Sequence, residues 1–186
     1  APTAPLAHVE LLSSGERKLI LQDWNATAVD YPRSATIHEL FEAQAARTPD
    51  AVAVTFENRR LTYAQWYGAI RAVAGGLQER GLKAGDHLVA VMRNRYEMAT
   101  LYWASHMLGL IFTPVSWRAA ADEIRYCLED AEAAAVAIDG ASGSAAPEAI
   151  ASLNIDPRRV IIAADGRGDG TRFETLFDAV PVAGPV

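Results

Sequence analysis

The chain has 186 residues, 51% of them hydrophobic and 22% charged, enough to bury one good core and too apolar for global disorder. A formal net charge of −6 gives no electrostatic support to a nucleic-acid or anionic-membrane surface. The single cysteine, Cys127, excludes an internal disulfide and a four-cysteine metal site, which fits a reducing, cytoplasmic location.

Residues 1 to about 35 read as an arm. Its start carries Pro2 and Pro5 and has neither the positive nor the apolar region of a signal peptide. Ser13 with Glu16 makes a capping box that opens a short helix. Leu19, Ile20 and Trp24 then share one side and are expected to anchor the arm. Asn25 to Arg33, with Pro32, reads as an extended linker.

From Thr36 the pattern becomes compact. Thr36 with Glu39 caps a helix that Thr48-Pro49 stops. Ala51 to Phe56 and Arg60 to Thr62, joined by Glu57-Asn58-Arg59, form a hairpin. Thr62 with Gln65 opens a helix from Tyr63 to about Glu79, and Asn94 with Glu97 opens another to about Leu108. A further helix covers Ala119 to Asp130, a short one Pro147 to Ser152, and a last one Phe173 to Ala179. Between them lie strand runs at Leu88–Met92, Leu110–Thr113, Ala134–Ile138 and Arg158–Ala163. The near-apolar run Met98 to Val115 is broken by His106, Gly109 and Pro114, so it reads as a buried helix followed by a strand and not as a membrane span. Strands alternating with helices predict an α/β fold, a layered and mainly parallel sheet flanked by helices. Pro181 to Val186 carries no core pattern and reads as an open-ended linker, which leaves residues 36–180 as the folded unit.

Several stretches carry a resemblance to a known family. Leu61-Thr62-Tyr63-Ala64-Gln65-Trp66 resembles the first core motif of adenylation domains. Ile37 to Val54, running Ile-His-Glu-Leu-Phe-Glu-Ala-Gln-Ala-Ala-Arg-Thr-Pro-Asp-Ala-Val-Ala-Val, resembles the opening of peptide-synthetase adenylation domains. Leu11 to Arg17 and Trp24 to Thr27 are similar to the linker that follows a condensation domain in those assembly lines. Met107 to Arg118, with Phe112-Thr113-Pro114-Val115-Ser116-Trp117-Arg118, and then Ala121 to Tyr126, are more similar to acyl-CoA and aryl-CoA synthetases. The chain thus resembles the first N-terminal subdomain of the adenylate-forming superfamily, which joins acyl-CoA synthetases, adenylation domains and luciferases.

The resemblance implies a parent enzyme that activates a carboxylic acid with ATP and Mg2+ as an acyl-adenylate. It then passes the acyl group to a thiol, either CoA or a carrier-protein pantetheine. The alternatives are an amino-acid-activating domain of a non-ribosomal peptide synthetase and a non-catalytic structural or docking module. The family's phosphate loop, its Tyr-Gly-x-Thr-Glu, its ribose-binding aspartate motif and its C-terminal lysine have no counterpart in these 186 residues. The expectation is therefore a truncated chain with no cofactor of its own and no catalytic, cofactor-binding or metal-ligating residue, inactive alone.

Other features suggest chemistry and have plainer readings. Gly166-Arg167-Gly168-Asp169-Gly170 lies between a strand and a helix but lacks the spacing of a dinucleotide or P-loop motif. Asp165 and Asp169 would repel phosphate there, and they lack the distal glutamate of a calcium loop. His8, His38, His87 and His106 have no partner at a metal spacing. Cys127 reads as a small buried side chain, and Trp66, Tyr67, Tyr96, Tyr102, Trp103 and Phe112 as packing aromatics of which a few could edge an acyl pocket. Arg93, Asn94 and Arg95 fall at a strand-to-helix junction where an anion could sit, with a solvated, capped turn as the competing reading.

Overall fold

A computed structural model describes residues 11–184, which fall into two compact units dividing after Ala35. His8 and the proline-bearing start lie outside the described residues, as do the last two of the chain.

In the first unit, helix α1 (Ser14–Leu21) begins at the expected capping box. The Glu16 N–H donates to Ser13 Oγ at 3.2 Å, and the Ser13 N–H donates to the Glu16 carboxylate at 2.8 Å. Both donors would otherwise be orphaned in the first turn. The helix buries no side chain. Leu19, Ile20 and Trp24 are 40%, 37% and 66% exposed.

The second unit opens with α2 (Ile37–Arg47), the hairpin β1 (Val52–Phe56) and β2 (Arg59–Thr62), and α3 (Tyr63–Glu79). It continues through β3 (His87–Val91), α4 (Tyr96–Met107), β4 (Ile111–Val115), α5 (Ala121–Asp130) and β5 (Ala135–Ile138). It ends with α6 (Ala145–Ala151), β6 (Val160–Ile162) and β7 (Thr171–Arg172). Strands β1 and β2 pair antiparallel; the other five form one sheet in the order β4-β3-β5-β6-β7, every neighbouring pair parallel.

Period-two alternation sorts each central strand's residues between two cores. Leu88, Ala90, Ala135, Ala137 and Ile161 join α3 and α4 in one, with Trp66, Ile70, Leu77 and Leu101. Val89, Val91, Val136, Ile138, Val160 and Ile162 join Ile124 and Leu128 of α5 and Ala146 and Ala149 of α6 in the other. The result is three layers: helices, sheet, helices.

Four sequence expectations are corrected. Helix α4 does not use Asn94 as its cap; Arg95 holds the capping position in extended backbone, φ −124° and ψ 170°, with no side-chain cap. The Glu97 carboxylate accepts from Arg95 Nε at 3.4 Å instead of reaching back to a cap. Arg158 and Arg159 belong to a 3₁₀ turn and not to a strand, because the Asp156 carboxylate accepts the Arg158 N–H at 2.9 Å and winds the chain before β6. Phe173–Asp178 is 3₁₀ and not α, and the short β7 just before it, which pairs with β6, has no apolar run to announce it. Helix α5 starts two residues late, after Ala120, whose N–H donates to Glu123 at 2.8 Å. That is half a capping box, since alanine has no oxygen to return the bond.

Strand β4 is a sheet edge, which leaves Ile111 and Pro114 exposed. The Ile111 N–H donates inward to the Asp86 carbonyl at 2.9 Å. Alternation then turns position 114 outward, where proline leaves no donor for a stray strand.

Candidate functional site

The sheet order sets where a site can form. From β3 the chain crosses over α4 to β4 on one side, then over α5 past β3 to β5 on the other. The carboxyl ends of β3 and β5 therefore flank a topological switch point, the crevice in which open α/β sheets receive ligands.

Charged residues fill this crevice. Arg93 follows β3, Asp139 follows β5 directly, and Asp165 follows β6. The Asp139 side chain is wholly buried and the Arg93 side chain is 38% exposed. Arg93 Nε donates to Asp139 Oδ2 at 2.9 Å, its backbone N–H to the same oxygen at 3.3 Å, and the Ala141 N–H to Oδ1 at 3.0 Å. Arg93 Nη2 also donates to both oxygens of Asp165, at 3.1 and 3.2 Å. The Gly140 N–H reaches Asp165 Oδ1 at 3.3 Å, and Arg95 Nη1 stands 3.8 Å from that oxygen. Hydrogen bonds from its own backbone N–H and from Gly140, with the Arg93 charge, hold the Asp165 carboxyl below the usual aspartate range.

Beside this network lies an apolar cavity of about 470 Å³. Helix α4 lines it with Met98, Ala99, Tyr102 and Trp103, spaced at three and four so that they share a face. Val54 and Phe56 of β1 and Phe112 and Pro114 of β4 complete the walls, with Asn94 and Arg95 at the polar end. The Arg95 guanidinium lies 5.4 Å from the Phe56 ring centre, and Arg59 lies 4.3 Å from that of Tyr96. These two cation–π contacts tie the hairpin to the start of α4. The size and lining suit a small, largely apolar molecule.

In the 166–170 loop, two of the three glycines pack closely against β6. A Cβ on Gly166 would fall 2.9 Å from Ile162 Cγ2, and one on Gly170 2.5 Å from the Val160 carbonyl oxygen. Both glycines thus serve close packing against β6, with Asp165 and Asp169 alongside. Among the described residues no group of three or more His, Cys, Asp or Glu could hold a metal ion. None of their helices is long and apolar enough to cross a membrane.

The other singled-out residues are dispersed. His106 Nδ1 bonds the Tyr102 carbonyl at 2.8 Å within α4, and His38 Nε2 sits 3.1 Å from Thr36 Oγ1. Cys127 is a half-buried free thiol on α5. Trp66 Nε1 donates to Thr100 Oγ1 at 3.0 Å, and Trp103 stacks on Phe41 with ring centres 4.5 Å apart. Tyr102, Trp103 and Phe112, with Tyr96, are the packing aromatics that also edge the cavity. Sequence reasoning named Arg93 and Asp165 separately and passed over Asp139. The usable signal was a charged residue placed immediately after an apolar strand on each side of the switch point.

Comparison with known proteins places this architecture. Residues 41–181 match the family model described as AMP-binding enzyme. Over 126 residues, 67% of this chain, the sequence is 40% identical to bacitracin synthase 3 of Bacillus licheniformis. Over 166 residues, 88% of the chain, it is 32% identical to malpinin synthetase of Mortierella alpina. Among solved structures, a protein assigned as a long-chain-fatty-acid CoA ligase from Rhodopseudomonas palustris superposes with a TM-score of 0.74 at 27% identity, over 82% of this chain and 38% of that one. The chain spans 2% of the length of each of the two synthases. The chain belongs to the AMP-binding enzyme family.

Proposed function

We propose that this chain is the N-terminal subdomain of an ATP-dependent, AMP-forming ligase that activates a carboxylic acid as its acyl-adenylate and passes it to a thiol of CoA or a carrier protein. The family match across residues 41–181 carries the proposal. The likeness to a protein assigned as a fatty-acid CoA ligase supports an acyl-ligase reading. A second reading, activation of an amino acid, is favoured by one observation: the higher identity, 40%, to bacitracin synthase 3. In either case residues 1–35 act as a linker, 36–180 as the subdomain and 181–186 as a connection onward, in a cytoplasmic enzyme. ATP and Mg2+ would be held by residues outside this chain, since Gly166 and Gly170 of the 166–170 loop pack against β6.

The test is acid-dependent ATP–pyrophosphate exchange, run on these 186 residues and on a longer protein containing them, with aliphatic, aryl and amino acids. The short chain is expected to show none. Each preorganised donor missing from such a site costs on the order of 10²–10³ in rate, and here the whole set is missing. Exchange by the 186 residues alone would overturn the incomplete-site reading. Exchange by the longer protein with amino acids only would establish the second reading, and no exchange with any acid would remove the ligase proposal.

A further inference from the structure

We propose that Arg93, Arg95 and the Gly140 amide form a carboxylate-binding site that Asp165 occupies from within, so that a ligand carboxylate enters only by displacing it. This site goes beyond the ligase reading and does not depend on it. Donors from two different loops converge on Asp165 Oδ1: Arg93 Nη2 at 3.1 Å and Arg95 Nη1 at 3.8 Å after β3, and the Gly140 N–H at 3.3 Å after β5. The Asp165 side chain is 62% exposed and so approaches these donors from the water side, as an incoming ligand would. The donors do not need it for their own placement. Buried Asp139 fixes the Arg93 guanidinium through Nε at 2.9 Å, and it holds the chain beside Gly140 through the Ala141 N–H at 3.0 Å. A Cβ at position 140 would lie 2.8 Å from Asp165 Cγ, so glycine there is what lets a carboxylate reach the amide.

Charge selects the class of ligand. Besides Asp165, the charged groups around the site are the cations Arg93, Arg95 and Arg167 and the carboxylates of Asp139 and Glu97, which sum to one positive charge. A monoanion in place of Asp165 restores the present balance, and a phosphate dianion overshoots it. Arg93 Nη2 spans both oxygens of a planar carboxylate at 3.1 and 3.2 Å. Asp165 is already seated on these donors and tethered beside them, so it competes with any free carboxylate and masks the site in the native chain.

The experiment uses the full chain labelled with 15N, following the Gly140 amide and the Arg93 and Arg95 Nε–H signals during titration with acetate. Inorganic phosphate and chloride at matched ionic strength serve as comparators. In Asp165→Ala the acetate response is expected to saturate with an affinity at least about tenfold above that of the unaltered chain, the gain expected when a tethered competitor is removed. Adding Arg95→Gln should reverse most of that gain. Asp165→Asn keeps the size of the side chain and should also bind acetate more tightly than the native protein, which covers the case of an unfolded alanine variant. Equal acetate responses in native and Asp165 variants would overturn the proposal. So would phosphate or chloride shifting Gly140 as acetate does.

Discussion

Arg93 and Asp139 form one ion pair, but losing either leaves a different remainder. Asp139 is fully buried and Arg93 is 38% exposed. Without Arg93, the Asp139 carboxylate would stay in the interior with its charge uncompensated, which costs about 3 kcal/mol or more. Without the Asp139 charge, Arg93 can turn to water and to Asp165, and the loss should be about 1–2 kcal/mol. Arg93→Met is therefore expected to lower the urea unfolding free energy more than Asp139→Asn. Equal losses would mean that Asp139 is not the buried member of the pair. Arg93 could be singled out from sequence as a cation at a junction. The importance of Asp139 could not, because its burial comes from β5 lying between β3 and β6.

At the scale of elements, the segments that open α3 and α4 carry similar capping patterns, and of these two only α3 uses its own. At α3 the Gln65 N–H donates to Thr62 Oγ1 at 3.3 Å, and the Thr62 N–H donates to Gln65 Oε1 at 3.0 Å. At α4 the similar Asn94-x-x-Glu97 is not a box, since Arg95 takes the capping position. Thr62→Ala should cost about 1 kcal/mol of stability, typical of a lost N-cap. Asn94→Ala should stay within about 0.5 kcal/mol, as an exposed change does. Chemical denaturation of both variants checks this, and a loss at Asn94 as large as that at Thr62 would contradict the assigned helix start. Capping chemistry is local and readable. Arg95 at the start of α4 instead pairs with Glu97 and stands near Asp165, partners that no capping pattern announces.

At the scale of the whole second unit, the segment following β7 crosses back over α3, and two glycines let it come close. A Cβ on Gly76 would lie 2.7 Å from the Leu176 carbonyl oxygen, and one on Gly75 2.1 Å from that of Val180. The Val182 N–H then donates to the Arg71 carbonyl at 3.2 Å. Glycine in a helix interior costs about 1 kcal/mol against alanine, so propensity alone favours replacement. Backbone neighbours cannot swing aside, and overpacking costs about 1–3 kcal/mol, enough to reverse the sign. Gly76→Ala should therefore destabilise, whereas Gly68→Ala in the same helix, with nothing within 4 Å, should stabilise by up to about 1 kcal/mol. Thermal unfolding of the two variants would read out the opposite signs, and stabilisation by Gly76→Ala would refute the close crossing. By itself, the amino-acid sequence determined the α/β class, the central strands to within about two residues and the starts of α1, α2 and α3, because alternation, helical spacing and capping act over neighbouring residues. The family was legible for the same reason, in unbroken runs such as Leu61 to Trp66. Only the tertiary structure decided the strand order, the edge position of β4 and the meeting of Arg93 with Asp139 and Asp165. Those partners lie 46 and 72 positions apart, and the direction of each crossover, which no local pattern encodes, brings them to one crevice.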